Sequence, residues 1–154
     1  MQYARTPVRR LLNRLEWIRI RLGIAPGQRV LLTIVGRRTG RSRTTPVSMV
    51  QHGSERWLVA PYGEVSWVHN ARTAGRVWLE RGRRREEFEI AEVNPREAGP
   101  LLQEYLTMEP ITQPFFDAPA NAPLAAFTAD AAKHPVFLLR SADRDRGSGA
   151  DSRI

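Results

Sequence analysis

Four arginines, Arg37, Arg38, Arg41 and Arg43, fall within seven residues, interleaved with Thr39, Ser42, Thr44 and Thr45. Gly36 and Gly40 frame the first half of this stretch. Guanidinium groups hold phosphate and carboxylate oxygens through paired N–H donors. Glycines let the backbone turn sharply and bring its own N–H groups to the same anion. The chemistry on offer is retention of an oxyanion such as a phosphodiester or a polycarboxylate. A solvated hairpin loop with no ligand has the same composition, so the loop alone leaves both readings open. It is not a P-loop, which needs Gly-x-x-x-x-Gly-Lys-Ser/Thr.

Little else in the chain has the spacing of a reactive centre. There is no cysteine, which excludes disulfides, thiolate metal sites and cysteine nucleophiles. His52, His69 and His134 are scattered without a partner at ligand spacing, so no metal site is expected. Glu86, Glu87, Glu89 and Glu92 follow Arg81, Arg83, Arg84 and Arg85, a pattern that reads as charge pairing across a solvated hairpin. Trp57 and Trp78 read as packing residues. No catalytic nucleophile, acid or base stands out.

The charge is uneven. Of the formal +8, residues 1–43 carry eleven arginines against Glu16 alone, and the rest of the chain is slightly acidic. An anionic partner is therefore sought first in the N-terminal part. A nucleic-acid-binding module is the competing class, but such proteins spread basic and aromatic groups along one face or carry a reading motif. Here the arginines gather in one helix and one loop, and no nucleic-acid partner is expected. No apolar run reaches the ~20 residues of a bilayer span, and arginines interrupt any secretory core near the start. A soluble, cytoplasmic protein is the expectation.

Positioning the loop requires strands on either side. Residues 30–35 form a β-branched apolar run suited to a buried strand, and Thr45 to Gln51 reads as its return, with Pro46 near the start. His52-Gly53-Ser54 turns into a third strand at 56–60, broken by Pro61-Tyr62-Gly63. Ser66 is expected to cap a short helix through Trp67, His69 and Asn70. Residues 76–80 and 86–93 read as a hairpin around Gly82. Asn94-Pro95 opens a helix with Leu101, Leu102, Tyr105 and Leu106 on its apolar face, although Gly99-Pro100 argues against a regular first turn. Residues 109–134 allow only short helices, and 135–139 is a last strand. At the N-terminus Val8, Leu11, Leu12, Leu15, Ile18 and Leu22 recur at helical spacing, with Gly23 and Pro26 ending the helix. This helix either packs its apolar stripe on the barrel or lies on an anionic membrane surface. The fold class is α+β: a small antiparallel barrel of about six strands wrapped by short helices, forming one domain over 1–142. Residues 1–24 carry the N-terminal helix, and 143–154 is a disordered tail.

The segment from Val30 to Val47, with Gly36-Arg37-Arg38-Thr39-Gly40-Arg41-Ser42-Arg43-Thr44-Thr45-Pro46 at its centre, resembles the signature of the deazaflavin-dependent nitroreductase family. These are actinobacterial oxidoreductases that use coenzyme F420. Trp67-Val68-His69-Asn70-Ala71 is similar to a second family block, Trp-x-x-Asn, although Gly75 stands where the family usually has proline. The likeness spans roughly residues 28–94. It implies a split β-barrel that binds the deazaflavin in a groove, with Arg37, Arg38, Thr39 and Arg43 on the phosphate and oligoglutamate tail. Pro46 and Val47 would line the ring system together with Ala60, Pro61, Tyr62 and Gly63. Trp67 and Asn70 would sit by the coenzyme, with Trp67 at the substrate side and Tyr105, Phe115 and Phe116 as loose substrate candidates; His69, on the short helix, reads either as a contact to substrate or coenzyme or as a capping or surface residue. The implied activity is hydride transfer between F420 and a small or lipophilic electron-poor substrate. The tyrosine-rich substrate segment of the nitro-reducing members has no clear counterpart. The resemblance also implies pairing into a homodimer and peripheral membrane contact through residues 5–22. The alternative is the same barrel with FMN or haem, or a binding protein without nitroreductase activity.

Overall fold

The computed structural model describes residues 7–21 and 28–142. Along the chain run α1 (Pro7–Arg21), β1 (Arg29–Val35), β2 (Ser42–His52), β3 (Glu55–Val59), α2 (Ser66–Ala74), β4 (Arg76–Arg81), β5 (Arg84–Glu92), α3 (Pro95–Met108), a 3-10 segment (Pro110–Phe115), α4 (Leu124–Asp130) and β6 (Val136–Ser141). The strands close into a barrel in the order β1-β2-β3-β6-β5-β4, with every pairing antiparallel. This is the small antiparallel barrel of about six strands expected from the strand spacing, and it agrees with the split barrel that the family resemblance implies. The segments expected at 22–27 and 143–154 lie outside the described residues.

Alternation along the strands sorts side chains into two cores. Val30, Leu32, Ile34, Met49, Leu58, Val77, Leu79, Phe88, Phe137 and Leu139 point into the barrel, and Val68 and Ala71 of α2 join them. The opposite face carries Val50, Trp57, Val59 and Val136, covered by Leu101, Leu102, Tyr105 and Leu106 of α3 and by Phe127 of α4. Phe127 and Leu102 are wholly buried. A fully buried side chain of this kind contributes about 2–3 kcal/mol.

Local chemistry explains where the boundaries moved. β2 starts at Ser42 rather than Thr45 because Ser42 and Arg43 already pair with Val35 and Ile34. The arginine-bearing connection thereby tightens to residues 36–41. Val65, not Ser66, takes the cap position of α2, with extended backbone and no side-chain cap. Asn94 does cap α3, accepting a hydrogen bond from the Glu97 N–H at 2.9 Å. The helix continues through Gly99-Pro100 for a packing reason: a Cβ on Gly99 would stand 2.5 Å from the Thr128 hydroxyl of α4. Only glycine lets α3 and α4 approach this closely, and the helix runs on past Pro100 although that residue gives up the N–H that would bond the Arg96 carbonyl.

α1 departs from the barrel-packing expectation. Leu11, Leu12, Leu15 and Ile18 are 50–59% exposed, so these four members of the apolar stripe are not buried on the barrel. The helix is seated through a different residue, Ile20, which is fully buried against Leu31, and through the ion pair of Glu16 with Arg29 at 2.8 Å. The Gly82 N–H also donates to the Ile20 carbonyl at 3.0 Å. The acidic residues of β5 likewise pair more widely than the hairpin reading had it. Arg76 meets Glu87 across the hairpin, but Glu86 pairs with Arg56 of β3, and Glu92 with Arg72 of α2.

Candidate functional site

The β1–β2 turn is held by its own backbone. The Gly36 N–H donates to the Arg41 carbonyl at 2.8 Å, and the Gly40 N–H to the Gly36 carbonyl at 3.0 Å. Gly40 has φ 69°, in the left-handed region where glycine carries no Cβ penalty. At Gly36 a Cβ would come within 3.1 Å of the Arg41 carbonyl, so that position also needs glycine. The turn is then tied to α2. Asn70, only 4% exposed, accepts both the Arg37 backbone N–H at 3.1 Å and the Arg37 guanidinium at 2.8 Å. The two sequence blocks meet at this contact, and the Asn70 oxygen is committed to orienting Arg37.

A groove of about 2050 Å³ runs from this turn along β2 to the end of α3. Arg37, Arg38, Thr39, Arg43, Pro46, Val47, Pro61, Tyr62, Trp67, His69, Asn70 and Tyr105 all line it. Two of the expected residues do not. Ala60 is buried within the barrel core, with its N–H on the Pro135 carbonyl at 2.9 Å. Gly63, at φ 85°, stands with its Cα hydrogens toward the Lys133 carbonyl, where a Cβ would come within 3.3 Å. Both shape the turn that carries Pro61 and Tyr62 rather than forming the groove surface.

The two ends of the groove differ in charge. At the turn, Arg37, Arg38 and Arg43 have no carboxylate partner among the described residues. The far end holds a hydrogen-bonded set that sequence reasoning missed. The Ser48 hydroxyl donates to Glu109 Oε1 at 2.6 Å, and Arg29 bonds Glu109 Oε2 at 3.2 Å while also pairing with Glu16. Its two carboxylate partners push the Arg29 pKa above the ordinary arginine range, Glu109 being the stronger cause. Tyr105, 4% exposed and close to Ser48, has its phenol pKa raised, first by burial and then by the nearby Glu109 charge. It therefore stays protonated. One signal for Ser48 was available: it shares the face of β2 with Thr44 and Pro46 by the two-residue period. Arg29, Glu16 and Glu109 come from three elements, and no local pattern joins them.

Aromatic contacts stiffen the wall between the ends. Tyr62 meets Phe115 edge-on at 4.8 Å, and Trp67 tilts against Phe137 at 5.7 Å. Phe116, in contrast, stacks on buried His134 at 4.1 Å and does not line the groove. The His134 Nδ1–H donates to the Ala60 carbonyl at 3.3 Å, supporting the Pro61–Tyr62 turn from behind. Burial pushes the His134 pKa below the usual histidine range.

Comparison with known proteins places this geometry. An F420-H2 dependent reductase, FDR-A, superposes with a TM-score of 0.54 at 20% identity, covering 73% of this chain and 94% of that one. A chain described as a domain-swapped dimer gives 0.55 at 18% identity, over 88% of this chain and 100% of that one. A Clostridium acetobutylicum protein related to general stress protein 26, of the pyridoxinephosphate oxidase family, gives 0.51 at 10% identity, over 75% of each chain. At these identities the likeness is one of fold, the split barrel. Among curated proteins none matches. A family model does match residues 15–112, a stretch that holds the arginine turn, the Trp67–Asn70 block, Ser48 and Glu109: the chain belongs to the F420H(2)-dependent quinone reductase family and is an F420-dependent oxidoreductase.

Proposed function

We propose that the chain passes a hydride between F420 and a small or lipophilic electron-poor acceptor of the quinone kind, both held in the one groove. The observation that supports this reading is the groove's asymmetry, with unpaired guanidinium groups at one end and aromatic and hydroxyl-bearing side chains at the other. An acidic coenzyme fits the first end, because Arg38 and Arg43 carry positive charge that no carboxylate of the described residues neutralises. In this reading Arg37, Arg38, Thr39 and Arg43 hold the phosphate and the oligoglutamate tail. Asn70 acts by fixing Arg37. Pro46, Val47, Pro61 and Tyr62 lie along the ring system, while Ala60 and Gly63 set the turn. Trp67, His69 and Tyr105 face the acceptor. When bound, the deazaflavin supplies the two electrons as hydride. The protein's part is to bind, to align the two partners and to keep water from the space between them.

Fluorescence quenching of oxidised F420 tests the reading. Micromolar affinity is expected, weakened about tenfold or more in Arg38→Ala. An absence of quenching overturns the proposal, and unchanged affinity in Arg38→Ala removes the tail clamp.

The outward stripe of α1 supports a peripheral contact with an anionic membrane surface. Leu11, Leu15 and Ile18 are exposed beside exposed Arg10, Arg14 and Arg19, which suits headgroups and acyl chains together. Leu11, Leu12 and Ile18 also line the groove mouth, so an apolar acceptor dissolved in lipid would enter directly. Co-sedimentation with anionic vesicles is expected, and equal pelleting by a Leu11→Ser, Leu15→Ser double variant would remove this role. Pairing into a homodimer is supported by the domain-swapped relative alone, and light scattering on the purified protein decides it.

A further inference from the structure

Reduction of a quinone-type acceptor consumes one hydride and one proton, and the reading above accounts only for the hydride. The proton has to reach an oxygen inside a groove walled by Val59, Pro61 and Ile111. One hydrogen-bonded line of side chains leads there. The Ser48 hydroxyl, close to Tyr105, donates to Glu109 at 2.6 Å, and Glu109 shares Arg29 with Glu16. All five residues line the groove, and they come from α1, β1, β2, α3 and, for Glu109, the single residue between α3 and the 3-10 segment. Tyr62 is the remaining titratable group close enough to act on Tyr105.

We propose that Glu109 and Ser48 form the proton-delivery arm of the reaction, carrying a proton from solvent to the oxygen of the acceptor. The inference rests on the hydride-transfer reading. Geometry supports it: the Glu109 carboxylate takes the Ser48 hydroxyl on Oε1 at 2.6 Å and Arg29 on Oε2 at 3.2 Å, which holds it beside the serine. The Glu109 side chain is 15% exposed, enough to exchange with water, whereas Ser48 is 8% exposed and sits on the groove side. In the step itself the acceptor gains two electrons and one hydrogen as hydride from the reduced coenzyme. Its oxygen then forms an O–H bond as the Ser48 O–H breaks. Serine recovers its proton from Glu109, which has first been protonated by hydronium or a buffer acid of the solvent and returns to carboxylate, so the net uptake is one hydride and one solvent proton. Tyr105, close to the serine, stays protonated throughout.

Two measurements test the assignment without turnover. p-Nitrophenol, whose anion is yellow and whose neutral form is not, stands in for the reduced acceptor in the coenzyme-free protein near the phenol's own pKa. Wild type is expected to bleach the colour on binding, by protonating the phenolate. Glu109→Gln and Ser48→Ala should leave the bound ligand yellow, with F420 quenching unchanged in both. Bleaching by Glu109→Gln equal to wild type overturns the proton arm. Loss of F420 quenching in the wild type would instead remove the hydride reading, a separate outcome. In turnover, formate or acetate should restore several-fold the rate lost by Glu109→Ala, which a merely structural role would not allow. Absence of rescue together with an unchanged solvent isotope effect also counts against the proposal.

Discussion

α1 and α3 are both amphipathic helices of similar length, 15 and 14 residues, and both flank the groove. Their fates differ. α3 buries Leu101, Leu102, Tyr105 and Leu106 against the outer face of β2, β3 and β6, while α1 leaves Leu11, Leu12, Leu15 and Ile18 in solvent. The difference lies in what faces each helix. α3 finds apolar strand residues in front and α4 behind, with Gly99 allowing the two helices to close on one another. Among the described residues, α1 is seated on the strands through Ile20 near its C-terminal end and through the ion pair of Glu16 with Arg29. A helical hydrophobic period states that a stripe will be covered, without stating by what. Apolar area buried against a fixed partner stabilises the fold, whereas the same area left outward is available to lipid or another apolar surface.

This contrast can be broken from either side. The largest effect is expected at the seat of α3, where Phe127→Ala should cost about 3–5 kcal/mol in urea unfolding. A loss below about 1 kcal/mol would mean that α4 is not what holds α3. At the seat of α1, Arg29→Leu leaves Glu16 and Glu109 facing each other without their cation. A loss of about 1–3 kcal/mol is expected, with faster hydrogen exchange confined to residues 7–21. Exchange that speeds up across the whole barrel would show α1 to be integral to the core. Acid provides a third lever on the α3 side. His134 is neutral in the fold with its pKa below the ordinary 6.5, so the unfolded chain binds more protons as pH falls through 6.5. Stability should therefore decline on acidification by at most about 1.4 kcal/mol per pH unit, and His134→Gln should flatten that slope in thermal melts. The smallest effect belongs to Leu15→Ser, expected within about 0.5 kcal/mol of wild type while lowering retention on anionic vesicles. A large destabilisation there would mean that the stripe is packed after all.

How far the sequence disclosed this arrangement depends on the range of the interactions involved. The six strands, the arginine turn and the Asn94 cap rest on neighbours within a few residues, and all are legible. Extension of β2 back to Ser42 depends on register with β1, which no local pattern specifies. Continuation of α3 through Gly99 was hidden for a similar reason, because the residue that demands glycine, Thr128, lies far along the chain. In the groove the same rule holds. Arg37 and Asn70 were each visible as members of a block, but their mutual hydrogen bonds were not. Ser48, Glu109, Arg29 and Glu16 escaped notice because a lone serine or glutamate has no periodicity, and only the closed sheet brings them side by side.

That closure has a consequence for how the molecule meets its own kind. The run Val30-Leu31-Leu32-Thr33-Ile34-Val35 has the composition of a segment that stacks into fibrils when its main chain is open to neighbours. In the ring of strands β1 pairs with β2 over Arg29–Val35 and with β4 over Leu31–Thr33, so the middle of its amide rim is spoken for on both sides. Self-association through an added strand would first require the ring to open between β1 and β4, and the barrel thereby acts as its own guard against polymerisation.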